Sequence, residues 1–231
     1  CSRWKWRWNN RIVASFHQPP EFLDKHVVDK GYIAGLDAAI VMADFQIDYM
    51  AKFLPRERVF CVPHGVDIQY WCPSPTVSRW PEPTFVFVGF WLRDVEMAKL
   101  TIRRAAELGL PAKFRIVTFP DRRPHFEGLP NTELLSGISD EQLRDEYRRA
   151  HALFLPLQLS TANNVVLEAM SCGTGVISTR IGGVPEYVSA DAGILVPPQD
   201  IDQAAAAIRT ICENPDQVAR LGEAARRRAE L

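Results

Sequence analysis

An α/β protein built on a Rossmann-like parallel sheet with flanking helices is what this sequence predicts, and three observations predict it. From Thr84 onward, short β-branched or aromatic runs alternate with amphipathic helical segments. Glycine, proline and helix-capping residues punctuate the junctions between them. Hydrophobic residues make up 47% of the 231-residue chain, enough to bury a real core.

The elements follow in order. Residues 84–88 (Thr-Phe-Val-Phe-Val) read as a strand, 89–94 as a loop, and 95–108 as a helix stopped by Gly109 and Pro111. Residues 113–118 and 132–135 read as further strands, and Ser139-Asp-Glu-Gln142 opens a helix over 140–150 through a capping box, with Leu143 and Tyr147 on its apolar side. The apolar run 152–156 suits a buried strand, 175–179 and 193–196 two more, with a short helical turn near Pro185. Asp200 starts a helix, and Asn214-Pro215 starts the last one. Ahead of Thr84, residues 11–16, 38–42 and 58–62 read as strands and 44–53 as a helix.

The stretch 73–83 holds four prolines in eleven residues and has little capacity for helix or sheet. It is therefore expected to be a linker between residues 1–72, the last part of an incomplete N-terminal Rossmann-like domain, and a second Rossmann-like domain at 84–231. A net charge of −1 leaves no basic excess for broad nucleic-acid binding. Five scattered cysteines, at 1, 61, 72, 172 and 212, lack both a disulfide framework and metal-ligand spacing, and a reducing cytoplasm is the simplest compartment. No run of about eighteen apolar residues and no signal peptide is read, so no bilayer span is expected.

The most informative stretch is Ser160-Thr-Ala-Asn-Asn-Val-Val-Leu-Glu-Ala-Met-Ser-Cys-Gly173. Its polar turn opens a helix carrying Val165, Val166, Leu167, Ala169 and Met170, closed by Gly173. Free N–H groups at such a helix start, together with the positive end of the helix dipole, suit a phosphate. Glu168, one to two turns in, is placed to accept hydrogen bonds from a polyol such as ribose; the plainer reading is a surface carboxylate. For Asn163 and Asn164 the plainer reading is helix capping.

Leu167-Glu-Ala-Met170, Gly182-Gly-Val-Pro-Glu186, residues 193–200 and Pro63-His-Gly-Val-Asp67 together resemble retaining glycosyltransferases of the GT-B fold, family 4-like, also called glycosyl transferases group 1. The resemblance implies a transferase that uses a nucleotide-sugar donor and an acceptor hydroxyl, with retention of configuration and no metal or other cofactor. The donor would lie on the C-terminal domain, Glu168 on its ribose, and Ser160, Thr161, Ala162, Asn163, Asn164 and Val165 on sugar and diphosphate. His17, at the end of a strand, would contact donor sugar or phosphate, although a lone histidine is more often structural. The resemblance also implies roughly another hundred residues ahead of this sequence, on the scale of a usual domain.

The sequence departs from the family's pattern at two places. Ser160 stands where the family has its first glutamate, and Thr161-Ala-Asn-Asn164 replaces a Gly-Phe-Gly turn. Three readings stay open there: neutral side chains hold the sugar, another carboxylate serves, or the protein binds without turnover. The loop Gly89-Phe-Trp-Leu-Arg-Asp94 also lacks the family's Arg and Lys, so Arg93, beside Gly89, is the expected cation for the leaving diphosphate, with Lys99 second.

A nucleotide-sugar binding module without catalysis is the rival reading. A dinucleotide oxidoreductase is excluded because no G-x-G-x-x-G follows 84–88. The acceptor stays open among sugars, lipids and small molecules, which leaves room for peripheral contact at the inner face of a membrane. Trp4, Trp6 and Trp8, alternating with Lys5 and Arg7, are expected to pack on a preceding segment, membrane contact being the other reading. The run Arg226-Arg-Arg228 reads as a solvated helix face.

Overall fold

A computed structural model describes residues 10–231. The tryptophan-rich start at 4–8 lies outside the described residues. No helix among the described residues is long and apolar enough to cross a membrane.

The described residues form two compact units. The first takes the residues up to His64 together with Leu159–Ala162, and the second takes Gly65–Gln158 and Asn163–Leu231. The first unit holds β1 (Val13–Phe16), α1 (Pro20–His26), α2 (Gly31–Ala34), β2 (Ala38–Val41), α3 (Phe45–Met50) and β3 (Val59–Cys61). Its strands form a parallel three-stranded sheet in the order β1-β2-β3. Leu23, Ile33, Val41, Met50 and Leu54 make its core. Gln46, 0% exposed, ties the strand ends together. Its amide nitrogen donates to the Phe16 and Gln18 carbonyls, and its amide oxygen accepts from the backbone N–H groups of Met42 and Ala43. A buried amide so completely satisfied fixes the backbone around it.

The second unit holds β4 (Thr84–Val88), α4 (Val95–Glu107), β5 (Lys113–Val117), β6 (Thr132–Leu135), α5 (Asp140–Arg149), β7 (Ala152–Leu155), α6 (Asn164–Ser171), β8 (Val176–Thr179), α7 (Val184–Tyr187), β9 (Gly193–Val196), α8 (Ile201–Glu213) and α9 (Pro215–Ala229). All six strands run parallel, in the order β6-β5-β4-β7-β8-β9. Every residue of β4, β7 and β8 is buried, as expected of central strands covered on both faces by crossover helices. In β5 burial alternates: Phe114 and Ile116 enter the core, while Arg115 faces outward to a two-point pairing with Glu146 and an ion pair with Glu133.

The capping signals at Ser139 and Asp200 act as the sequence predicts, whereas Asn214 makes no side-chain capping bond at the start of α9 and Asp94, read only as the end of a loop, is a cap. Ser139 and Gln142 form the reciprocal capping box of α5, and Asp94 and Asp200 cap α4 and α8 through their carboxylates. Two helices, Pro20–His26 and Gly31–Ala34, and a 3-10 turn at Pro120–His125 were not expected. In α1 and the 3-10 turn, prolines sit at the first positions, where a missing N–H costs nothing.

The expected domain boundary moves. Residues 73–83 lack helix and strand, as predicted, yet the division falls after His64, and residues 65–83 pack on the second unit. Arginines hold them there. Arg226 donates through Nη1 to the carbonyls of Ile68, Trp71 and Ser171, and Arg148 donates to the carbonyl of Cys72. Arg79 donates to the carbonyls of Ala150 and Gly173, at the C-terminal ends of α5 and α6, where a cation meets the negative helix end. The expected solvated face at 226–228 is thereby corrected for Arg226 alone; Arg227 and Arg228 are exposed, Arg228 donating at the surface to the carbonyls of Glu186 and Tyr187.

Candidate functional site

Counted from β4, the strands of the second unit lie in the order 3-2-1-4-5-6. Chain direction outward from the centre reverses between β4 and β7, and ligands of open α/β sheets bind where the strand order so reverses, beyond the carboxyl ends of the strands. Two segments meet at that point. One is the loop 89–94 after β4, and the other is the segment 156–158 after β7, joined by an isolated bridge between Arg93 and Leu157. The backbone N–H of Asp94 donates to the Pro156 carbonyl at 2.9 Å, and that of Gln158 to the Leu92 carbonyl at 3.0 Å.

Gly89 has φ +91°, a conformation that disfavours any side chain. Arg93 folds back over it: a Cβ at position 89 would lie 3.2 Å from Arg93 Nη2. The guanidinium donates through Nε to the Val88 carbonyl and through Nη1 to the Trp91 carbonyl, both at 3.1 Å. Nη2 has no acceptor among the described residues. Burial pulls this guanidinium down to about 10, with Tyr147 and Glu168 acting in the opposite direction, so it stays charged at neutral pH.

Helix α6 begins at Asn164. Asn163 caps it, its Oδ1 accepting from the Val166 N–H at 3.4 Å, and the N–H groups of Asn164 and Val165 have no acceptor among the described residues. Val166, Leu167, Ala169 and Met170 are buried and seat the helix against the sheet. Glu168 is half-buried on another side. Its Oε2 accepts from the Tyr147 hydroxyl at 3.0 Å, while Oε1 has no partner among the described residues. Burial pushes this carboxyl up to about 7, opposed by the Tyr147 hydrogen bond, raised further by Asp140 and lowered by Arg93.

Gly89, Arg93, Glu168 and the start of α6 thus share the switch point of the second unit. Lys99, the second candidate cation, is paired with Glu96 at 2.7 Å. Ser160, Thr161 and Ala162 belong to the first unit, as His17 does. Ser160 and Thr161 are each only 4% exposed. The Ser160 hydroxyl donates to the Thr161 carbonyl, and the Thr161 hydroxyl donates to the His17 carbonyl at 2.6 Å. Both hydroxyls thus donate to backbone carbonyls, which leaves their oxygens as acceptors. His17 is exposed, and its ring meets that of His64 edge-on at 5.7 Å between centroids. Tyr147 was missed: the sequence placed it on the apolar side of α5, and nothing local links it to a carboxylate 21 residues away.

A parallel sheet in this order, with a helix start at its switch point, is a doubly wound α/β fold, and solved GT-B glycosyltransferases share it. Sucrose-phosphate synthase from Thermosynechococcus elongatus has the same fold, with a TM-score of 0.79 at 21% identity over 99% of this chain and 65% of that one. HepE from Anabaena, solved in complex with UDP and glucose, matches with a TM-score of 0.76 at 14% identity, over 99% of this chain and 69% of that one. Residues 122–228 match the family model described as Glycosyl transferases group 1. Among curated relatives, the chain is 26% identical over 240 residues to MMP alpha-(1->4)-mannosyltransferase of Mycolicibacterium hassiacum, covering 99% of this chain and 56% of the relative. It is 33% identical over 252 residues to D-inositol 3-phosphate glycosyltransferase of Saccharomonospora viridis, covering 96% and 58%. The chain thus spans little more than half the length of these two relatives.

Proposed function

We propose that the complete protein is a glycosyltransferase that moves a sugar from a nucleotide-linked donor to an acceptor hydroxyl with retention of configuration. The observation that carries this reading is the half-buried Glu168 carboxylate, with Oε1 open, on a helix whose first N–H groups are unengaged at the switch point of the sheet. The family-model match over 122–228 supports the reaction class, and the UDP and glucose bound to HepE support a nucleotide-sugar donor.

In this reading Glu168 accepts from ribose hydroxyls. The N–H groups of Asn164 and Val165 hold the diphosphate, with Arg93 Nη2 as the cation that offsets charge developing on it as the bond to the anomeric carbon breaks. No metal is invoked, so activity is expected to survive chelation by EDTA. His17 acts on the transferred sugar, so that His17→Ala lowers turnover and leaves UDP affinity unchanged. Retention follows from the family resemblance and is read from the anomeric configuration of the product by NMR.

The rival reading, donor binding without turnover, is favoured by Ser160: a buried hydroxyl already given to a carbonyl supplies no negative charge to an electron-poor sugar. Thermal stabilisation by UDP-, GDP- and ADP-linked sugars tests binding in both readings. Glu168→Ala is expected to abolish the shift, because charge-assisted hydrogen bonds of about 1.5–3 kcal/mol correspond to roughly tenfold to hundredfold in affinity. An unchanged shift in that variant removes the ribose role. Transfer or hydrolysis of a stabilising donor separates enzyme from binding module.

A further inference from the structure

We infer that Tyr147 is a positioning residue for this site: its phenol occupies Glu168 Oε2, and so orients the carboxylate with Oε1 presented to a hydroxyl of the bound nucleotide. The inference rests on the nucleotide reading above. Tyr147 is 0% exposed, and its O–H lies 3.0 Å from Oε2. A buried phenol must find an acceptor, and plain packing explains that much. Packing alone does not account for its partner, a half-buried carboxylate at the switch point that keeps its second oxygen free of the described residues.

The phenol is rigidly held. The Thr174 hydroxyl donates to the Tyr147 carbonyl at 2.6 Å, and Trp71 packs edge-on to the ring at 5.7 Å. The capping box of Ser139 and Gln142 secures the start of the same helix. Burial, followed by the Glu168 charge, holds the phenol well above its ordinary range, so it remains a donor wherever the protein is folded. Around the carboxyl, Tyr147 from α5 and Arg93 from the loop after β4 favour the ionised form, and Asp140 at the start of α5 opposes it. Removing the phenol therefore raises the pH at which Glu168 ionises and frees the carboxylate to rotate.

The test is UDP binding by titration calorimetry between about pH 5.5 and 9, run on the full chain. Wild-type affinity is expected to rise through a midpoint near pH 7. Tyr147→Phe keeps the ring and is expected to move the midpoint up by roughly one pH unit, which weakens binding about fivefold at pH 7. Difluorotyrosine at position 147, a stronger donor of nearly the same shape, is expected to move it down, and serves alone if Tyr147→Phe does not fold. In a Glu168→Gln background, Tyr147→Phe is expected to add no further loss. An unmoved midpoint, or losses that add independently, overturns the inference while the ribose reading stands. Undiminished UDP binding by Glu168→Gln alone instead overturns the ribose reading itself.

Discussion

Glu168 shows how an environment sets the chemistry of one side chain. In the unfolded chain its carboxyl ionises near 4.5, and in the folded protein at about 7. Between those values the unfolded chain has released a proton that the folded one keeps, so this group's contribution to stability is full below the lower value and falls as pH rises toward the upper. Glu168→Gln removes that dependence: its melting temperature is expected to gain on wild type by a few degrees, roughly, between pH 4.5 and 7.5, a difference that differential scanning fluorimetry reads directly. A variant that tracks wild type across this range contradicts the burial assigned to the carboxyl. The same half-buried position explains why the residue was legible in sequence and its partner was not. Leu167-Glu-Ala-Met170 places one acid on an otherwise apolar helix, which is a local pattern. Tyr147 reaches it only because α5 packs on α6, and packing between helices leaves no local mark.

At the level of elements, strands were read most sharply where both ends are punctuated. Thr84–Val88 and Gly193–Val196 match residue for residue, since proline or glycine and a change of polarity bound them. The short helices α1 and α2 escaped because four to seven residues show too little periodicity. The turn 160–164 was read as one binding loop, yet Ser160–Ala162 pack with the first unit, and a sequence cannot show which body a loop residue joins. The loop after β4 carries its own test. Gly89→Ala places a methyl group against Arg93 in a backbone conformation that disfavours it, and is expected to cost about 1–2 kcal/mol in urea unfolding. Under the proposed function it also displaces the guanidinium and weakens UDP binding. Normal stability and normal binding together contradict the close approach described here.

For the whole molecule, the proline-rich segment 73–83 carried the right signal about its backbone and the wrong one about its allegiance. The carbonyls of Ile68, Trp71 and Cys72, just before it, are met by arginines far along the chain, which no local reading of composition reveals. Arg226 is the clearest case, with one guanidinium nitrogen meeting three carbonyls from two segments. Arg226→Met keeps the stem and removes these bonds; it is expected to lower stability by about 1.5–3 kcal/mol and to speed amide hydrogen exchange over residues 65–72 above all. Exchange raised evenly across the second unit instead makes the arginine a general contributor to the core.

The four residues Leu159–Ala162 give the chain an unusual itinerary. It passes from the first unit into the second after His64, returns for this brief excursion, and re-enters the second at Asn163. Scission of the backbone between His64 and Gly65 therefore yields two pieces that do not correspond to the two bodies. The later piece carries Ser160 and Thr161 without the His17 carbonyl that takes the Thr161 hydroxyl. Dissection of this protein into independently folding halves has to replace that tetrapeptide as well as sever the crossing.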